Sequence, residues 1–287
     1  MTAVTRFAPS PNGHLHVGHA LSAIIAHDTA RKNGGRFLLR IEDIDLERWR
    51  PEFVDAIYED LAWLGLAWEL PVLVQSEHFA EYLMAADKLI AMGLLYPCFA
   101  SRGEIAAAAD PAKTDPDGAP LYPGLWKGAS ADAISARMAA GEAPALRLDM
   151  DGALKALARK RGDLPLTFTE VGQDGTRRTI GAEPQRWGDA VIVRKEVPAS
   201  YHLSVVVDDA RQGVTHVTRG EDLFAATDLQ RLLQELLDLT EPVYSHHRVI
   251  RWADGRKLSK SNRDMGLRVL RAEGATAADI RRVIGFA

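Results

Sequence analysis

The chain has a single cysteine, Cys98, in 287 residues. No disulfide framework can form within it, which fits a reducing compartment. Long apolar runs are also missing. No stretch approaches the roughly 20 apolar residues of a membrane-spanning helix, and Met1-Thr2-Ala3-Val4-Thr5-Arg6 has no signal-peptide core. A cytoplasmic location is the expectation. Excess positive charge is absent too, the net charge being −4. That argues against a chain that coats nucleic acid by bulk charge, but the distribution is uneven. Residues 248–287 hold ten Lys/Arg against four acids, leaving −10 on residues 1–247. A local basic patch can meet phosphate while the whole chain stays acidic. A solvated basic surface would look the same.

The apolar fraction of 47% and charged fraction of 26% are ordinary for a globular protein. Residues 4–8 read as a short strand, broken by Pro9-Ser10-Pro11-Asn12-Gly13. An apolar period from 15 to about 32 predicts a helix, stopped by Asn33-Gly34-Gly35. Residues 36–41 read as a second strand, and Pro51 suits the first turn of a helix running to about 64. Strand, helix, strand at this spacing predicts a βαβ unit and a parallel sheet. A helix is expected over 77–92 with Ser76 as its cap, strands over 190–194 and 214–219, and an amphipathic helix over 227–239. Residues 201–209 are short and apolar and fit either helix or strand. Between 97 and 186 the pattern breaks into short strand-like pieces among Pro, Gly and Asp. The expected layout is a first catalytic half at 1–96, an insertion at 97–186, a second half at 187–247, and a loop with a helical segment at 248–287.

Two strings carry chemistry. The first is Pro9-Ser10-Pro11-Asn12-Gly13-His14-Leu15-His16-Val17-Gly18-His19. It puts His16 and His19 on the first turn of a helix, where backbone N–H groups and the helix dipole favour anions. Gly18 lets a nucleotide approach the backbone. A Pro-Gly loop with chance histidines is the plain alternative. The second is Lys257-Leu258-Ser259-Lys260-Ser261, preceded by Gly255. Two ammonium groups and Ser259 on one loop can close over a triphosphate and offset its charge as pyrophosphate leaves. A basic surface loop is the plain alternative there.

In this order and far apart, the strings resemble the two ATP-handling motifs of class I aminoacyl-tRNA synthetases. Adding Arg40-Ile41-Glu42-Asp43, Tyr201-His202-Leu203 and residues 205–209, the chain resembles the bacterial glutamyl-tRNA synthetases over nearly its whole length. The resemblance implies a Rossmann-type α/β core split by an acceptor-arm-like insertion, and ATP with Mg²⁺ as cosubstrate. It implies His16, Gly18, His19, Lys257, Ser259 and Lys260 at ATP, with the two histidines and two lysines catalytic. It implies Arg6, Ala8, Ser10, Glu42, Tyr201 and Arg219 around glutamate. The physics agrees: an arginine forks onto a carboxylate, and Glu42 can receive an ammonium. Outside the resemblance, Arg219 could be a surface salt bridge and Tyr201 a core residue.

The chain stops 26 residues after Ser261, where the full-length family continues into helical domains that read the anticodon. The expectation is therefore no anticodon-binding domain. A stand-alone core of this kind resembles the glutamyl-queuosine tRNA(Asp) synthetases, which place glutamate on the queuosine base of the anticodon loop. The implied partners are glutamate, ATP and queuosine-bearing tRNA(Asp), and a monomer is expected. The alternatives are a shortened enzyme charging a tRNA 3′ end, a non-catalytic tRNA-binding paralogue, and a glutamate-adenylating enzyme with another acceptor. Many of those relatives hold zinc in the insertion through a Cys-x-Cys pair, a tyrosine and a later cysteine. Here only Cys98 and Tyr122 answer to that set. No structural zinc is expected, with Phe99 and Trp126 filling the space instead.

Overall fold

The computed structural model describes residues 2–250 and 266–286. The predicted βαβ start is present. Strand β1 (Val4–Phe7) leads into α1 (Val17–Lys32), which returns to β2 (Arg36–Ile41), and β1 and β2 pair in parallel. Helix α2 (Pro51–Trp63), with proline in its first turn, connects β2 to β3 (Glu69–Val74). No strand is legible in the local pattern at β3, because Pro71 interrupts it. β3 is an edge strand, where a missing N–H is tolerated.

Among the described residues, seven strands form the main sheet in the order β3-β2-β1-β9-β10-β6-β7. The new members are β6 (Thr167–Val171), β7 (Arg177–Gly181), β9 (His216–Gly220) and β10 (Val243–His247). All neighbours are parallel except the β6–β7 hairpin. A second, antiparallel sheet joins β4 (Leu95–Cys98), β5 (Ala145–Leu148) and β8 (Val191–Val193). Hydrogen bonding therefore divides the chain differently from the expected boundaries at 97 and 187. The β6–β7 hairpin lies inside the expected insertion yet extends the main sheet, while β8 lies beyond it and closes the small one. Local sequence carries no mark of which sheet a short strand will join.

The ambiguous segment at 201–209 is helix α7 (Tyr201–Arg211), capped by the Ser200 hydroxyl. It packs against α3 (Phe79–Ala91) and α8 (Ala226–Leu236). Ser76 does not cap α3 as expected. Its amide and hydroxyl donate to Asp43 at 2.8 and 2.7 Å, tying the 3₁₀ turn before α3 to the end of β2. One buried cluster holds α1 and α2 against β1 and β2, and Leu267 of the short helix α9 (Leu267–Ala272), Ile280 of α10 (Ala277–Val283) and Ile284 just after it complete it. A second gathers α3, α7, α8 and α6 (Met150–Arg161). No described helix is long and apolar enough to cross a membrane.

The zinc-type position is filled by side chains. The Cys98 thiol donates to the Tyr122 hydroxyl at 3.3 Å, and that hydroxyl accepts the Trp126 amide at 2.8 Å. The Phe99 and Trp126 rings lie 4.9 Å apart, with the Arg137 guanidinium 5.4 Å from each. Arg147 lies 3.9 Å over the Tyr122 ring. One thiol and one phenol wrapped in aromatic and cation–π contacts do not fit a four-ligand zinc centre.

Candidate active site

β1 and β9 are neighbours although they are far apart in sequence. β2 and β3 lie on one side of them and β10 on the other, so the strand order reverses at β1 and β9. In open parallel sheets a crevice forms outside the carboxyl ends of the strands at such a point. A cleft of about 660 Å³ lies there.

The end of β1 and the turn after it bring Arg6, Ala8 and Ser10 to the cleft. The start of α1 brings His16, Gly18 and His19. Glu42 follows β2, Tyr201 opens α7, and Arg219 sits at the end of β9. All nine predicted residues within the described chain therefore line one space. Lys257, Ser259 and Lys260 lie outside the described residues.

The first turn of α1 is capped by its own histidines. His16 Nδ1 accepts the Gly18 amide at 3.0 Å, and His19 Nδ1 accepts the His16 amide at 3.1 Å. This is a capping box with imidazoles in place of the usual hydroxyl and carboxylate. With both Nδ1 atoms accepting, each neutral ring carries its proton on Nε2 as a donor. Gly18 is needed for a reason beyond nucleotide approach: a Cβ there would sit 2.9 Å from the His16 ring.

The floor of the cleft is a buried ion cluster. Arg6, 4% exposed, donates through Nε to Asp209 Oδ1 at 3.0 Å and through Nη2 to Oδ2 at 3.5 Å. Arg40 is fully buried. It donates to Asp209 at 2.7 Å, to Glu42 at 3.0 Å and to Gln212 at 3.0 Å, with Asp208 at 3.8 Å. Asp208 also accepts from Gln75 at 2.7 Å and Tyr82 at 2.9 Å. Burial pushes Asp209 upward, but the two guanidiniums outweigh it and hold its carboxyl below the usual range. At Glu42 burial wins over Arg40 and Arg6, and its pKa is raised. Burial likewise raises Asp208 against the pull of Arg40. With three carboxylates and two guanidiniums, the cluster is one positive charge short among the described residues.

The lining around Arg219 has the reverse character. Arg219, 5% exposed, donates to Gln230 at 2.8 Å, Thr227 at 2.7 Å, His246 Nε2 at 3.1 Å and Tyr201 at 3.5 Å. Among the described residues these partners are all neutral. The wall carries a positive charge and the floor lacks one.

Arg40, Asp208, Asp209 and His246 received no role from the sequence. A faint signal existed for Arg40, since Arg40 and Glu42 stand two apart at a strand end and so share a face. Nothing local pointed to His246.

The catalytic-domain family of class I tRNA synthetases (E and Q) matches residues 2–284. The chain belongs to this family. Among curated relatives, this synthetase-family chain is 47% identical over 289 residues to the glutamyl-Q tRNA(Asp) synthetase of Rhodobacter capsulatus, covering 99% of itself and all of that protein. It is 37% identical to glutamate–tRNA ligase 2 of Rhodospirillum rubrum, covering 99% of itself but 57% of the ligase. Among solved structures, a glutamate tRNA ligase from Elizabethkingia meningosepticum superposes with a TM-score of 0.71 at 24% identity, over 91% of this chain and 52% of the ligase. That likeness bears on the fold alone: a class I α/β catalytic core with a mostly parallel sheet. As a member of the family the chain is an ATP-dependent ligase of the aminoacyl-tRNA synthetase type.

Proposed function

We propose that the chain activates glutamate with ATP and Mg²⁺ and transfers the glutamyl group to the queuosine base of tRNA(Asp). The carrying observation is the paired charge of the cleft, an ion cluster short of one cation and, elsewhere in the same lining, a guanidinium whose hydrogen-bond partners among the described residues are all neutral. Glutamate has an ammonium for the first, a side-chain carboxylate for the second, and an α-carboxylate left to react. The choice of acceptor is supported by the likeness to the Rhodobacter capsulatus protein along its full length.

In this reading Glu42 receives the ammonium, and Arg219 with Tyr201 takes the side-chain carboxylate. Arg6, already engaged by Asp209, offers its remaining N–H groups, and Ala8 and Ser10 shape the turn beside the substrate. The α-carboxylate attacks the α-phosphate of ATP. A carboxyl O–P bond forms, the bond to pyrophosphate breaks, and glutamyl-adenylate results. The Nε2–H groups of His16 and His19 and the amides opening α1 stabilise the developing charge, over a backbone that Gly18 keeps open. Lys257, Ser259 and Lys260 belong to the same task. A hydroxyl of queuosine's cyclopentenediol then attacks the adenylate carbonyl; the ester C–O bond forms, the bond from the carbonyl carbon to the phosphate oxygen breaks, and AMP leaves, its phosphate taking up the hydroxyl proton. Positioning and charge stabilisation carry both steps.

The test is transfer of labelled glutamate to tRNA(Asp) with and without queuosine. Label gained only by the queuosine form, and kept after removal of the 3′ terminal adenosine, supports the proposal. Label going to tRNA(Glu) and lost with that adenosine would make the chain a 3′-charging enzyme.

A further inference from the structure

Arg219 is oriented by two side chains that take no part in the reaction just described. His246, near the end of β10, stands between Arg219 and Glu170 of β6. Arg219 Nε donates to His246 Nε2 at 3.1 Å. A nitrogen that accepts from a guanidinium carries no proton of its own, because the guanidinium only donates. The imidazole proton therefore sits on Nδ1, which donates to Glu170 Oε2 at 2.9 Å. The other oxygen of Glu170 accepts the His246 amide at 2.8 Å, so the carboxylate is clamped at both ends. The Thr227 hydroxyl lies 3.4 Å from Nε2, and the Phe224 and Tyr244 rings enclose the imidazole at centroid distances of 5.0 and 6.2 Å. Burial favours the neutral ring, with Glu170 opposing.

We propose that the Glu170–His246 pair is the positioning device that holds Arg219 in place while leaving its charge available to the substrate's side-chain carboxylate. Arg6 shows the alternative, in which Asp209 contacts the guanidinium directly and neutralises it. At Arg219 a neutral imidazole is interposed instead. The carboxylate fixes the ring's tautomer, and the ring fixes the guanidinium without competing for it, as an outer carboxylate does for a metal-bound histidine. Glu170 comes from the β6–β7 hairpin, so a strand within the expected insertion acts on the amino-acid site through one intervening ring. The inference rests on the glutamate reading for its substrate but not for its geometry.

The test pairs kinetics with spectroscopy on the whole chain. In glutamate-dependent pyrophosphate exchange, His246→Ala should raise KM for glutamate about tenfold while KM for ATP moves less than about twofold. His246→Gln, which can return a neutral oxygen to Arg219, should recover most of that loss. Equal impairment in the two variants, or a parallel rise in both KM values, would overturn the role. Nitrogen NMR of histidine-labelled protein should find His246 in the Nδ1–H form near neutral pH, with the bias weakened in Glu170→Gln. An Nε2–H form would overturn the proposal. Should the wild-type chain show no exchange with glutamate, the substrate reading fails, and the tautomer still decides for or against the pair.

Discussion

Arg40, packed behind Glu42 beneath the cleft lining, and Arg219, in the lining itself, are almost equally buried and differ in what balances them. Arg40 touches Glu42 and Asp209 and lies near Asp208, so its charge is answered within the fold. Arg219 touches an amide oxygen, two hydroxyls and an imidazole, so its charge is held but unanswered among the described residues. Burying a cation without a counter-ion is costly, and a fold that retains one keeps it for something that arrives later. Burial alone would have given both arginines the same meaning. The chemistry of their partners separates an arginine that builds the floor from one that binds.

Arg40→Met breaks the first half of that contrast and should have the largest effect. It leaves Asp209, Glu42 and Asp208 with a single buried guanidinium between them. Removing one member of a buried ionic cluster costs about 3–5 kcal/mol, to be read as lost stability in denaturant unfolding. A loss below about 1 kcal/mol would mean the cluster is less tightly coupled than its distances imply.

Arg219→Lys addresses the other half. A lysine keeps the charge but loses the planar fork and its four fixed partners. Transition-state stabilisation with glutamate should fall by about 2–3 kcal/mol, or about 30- to 150-fold in kcat/KM, with a stability loss smaller than that of Arg40→Met. If KM for ATP rose by the same factor, Arg219 would be holding the cleft together rather than reading a carboxylate.

The raised Glu42 gives the contrast a pH signature. Burial lifts its pKa despite Arg40 and Arg6, with Asp209 adding in the same direction. An ammonium binds the ionised carboxylate and must displace any proton there. Glutamate affinity should therefore rise with pH up to the raised value and level off above it, by at most about tenfold per pH unit. Stability moves the other way. The folded protein holds this proton more tightly than the unfolded chain, so the contribution of Glu42 to folding declines as pH climbs through the same window. Glu42→Gln should remove that limb from the glutamate profile. A limb that persists unchanged in the variant would assign it elsewhere.

The first half of the core was legible because its signals are local. Alternation, a Pro-Gly break and a Gly-Gly stop specify β1, α1 and β2 within 40 residues, and the motif histidines follow from that frame. The floor and wall of the cleft were only half legible. Arg6, Glu42 and Arg219 could be named because their neighbours in sequence resemble a family. Arg40, Asp209 and the Glu170–His246 pair depend on contacts across 169 and 76 residues, for which no local period exists. The same reason hid the split of the region after Tyr96 between two sheets. Short strands there show their β character, but their partners are chosen by the packing of distant elements.

The smallest predicted effect asks whether a buried charge that lacks hydrogen bonds among the described residues always marks a site. Asp60 of α2 is fully buried, and neither carboxylate oxygen has a hydrogen-bond partner among the described residues, with Arg271 of α9 3.6 Å away. Burial raises its pKa to about 6, against the pull of Arg271. It lies between helices, not on the cleft, so the contrast drawn above gives it no ligand and only a cost. For a carboxyl whose folded pKa exceeds its unfolded one, that cost is absent below the unfolded value and grows as pH rises through the folded one. Asp60→Asn should accordingly stabilise the protein by about 1–2 kcal/mol near pH 7.5 and by almost nothing near pH 4, less than the full linkage value because the amide also lacks partners. Unfolding midpoints at the two pH values decide it. A variant that is destabilised at pH 7.5 would show that the pair with Arg271 outweighs the cost of burial, and one that loses glutamate activation while remaining folded would show that Asp60 serves the site from outside the cleft.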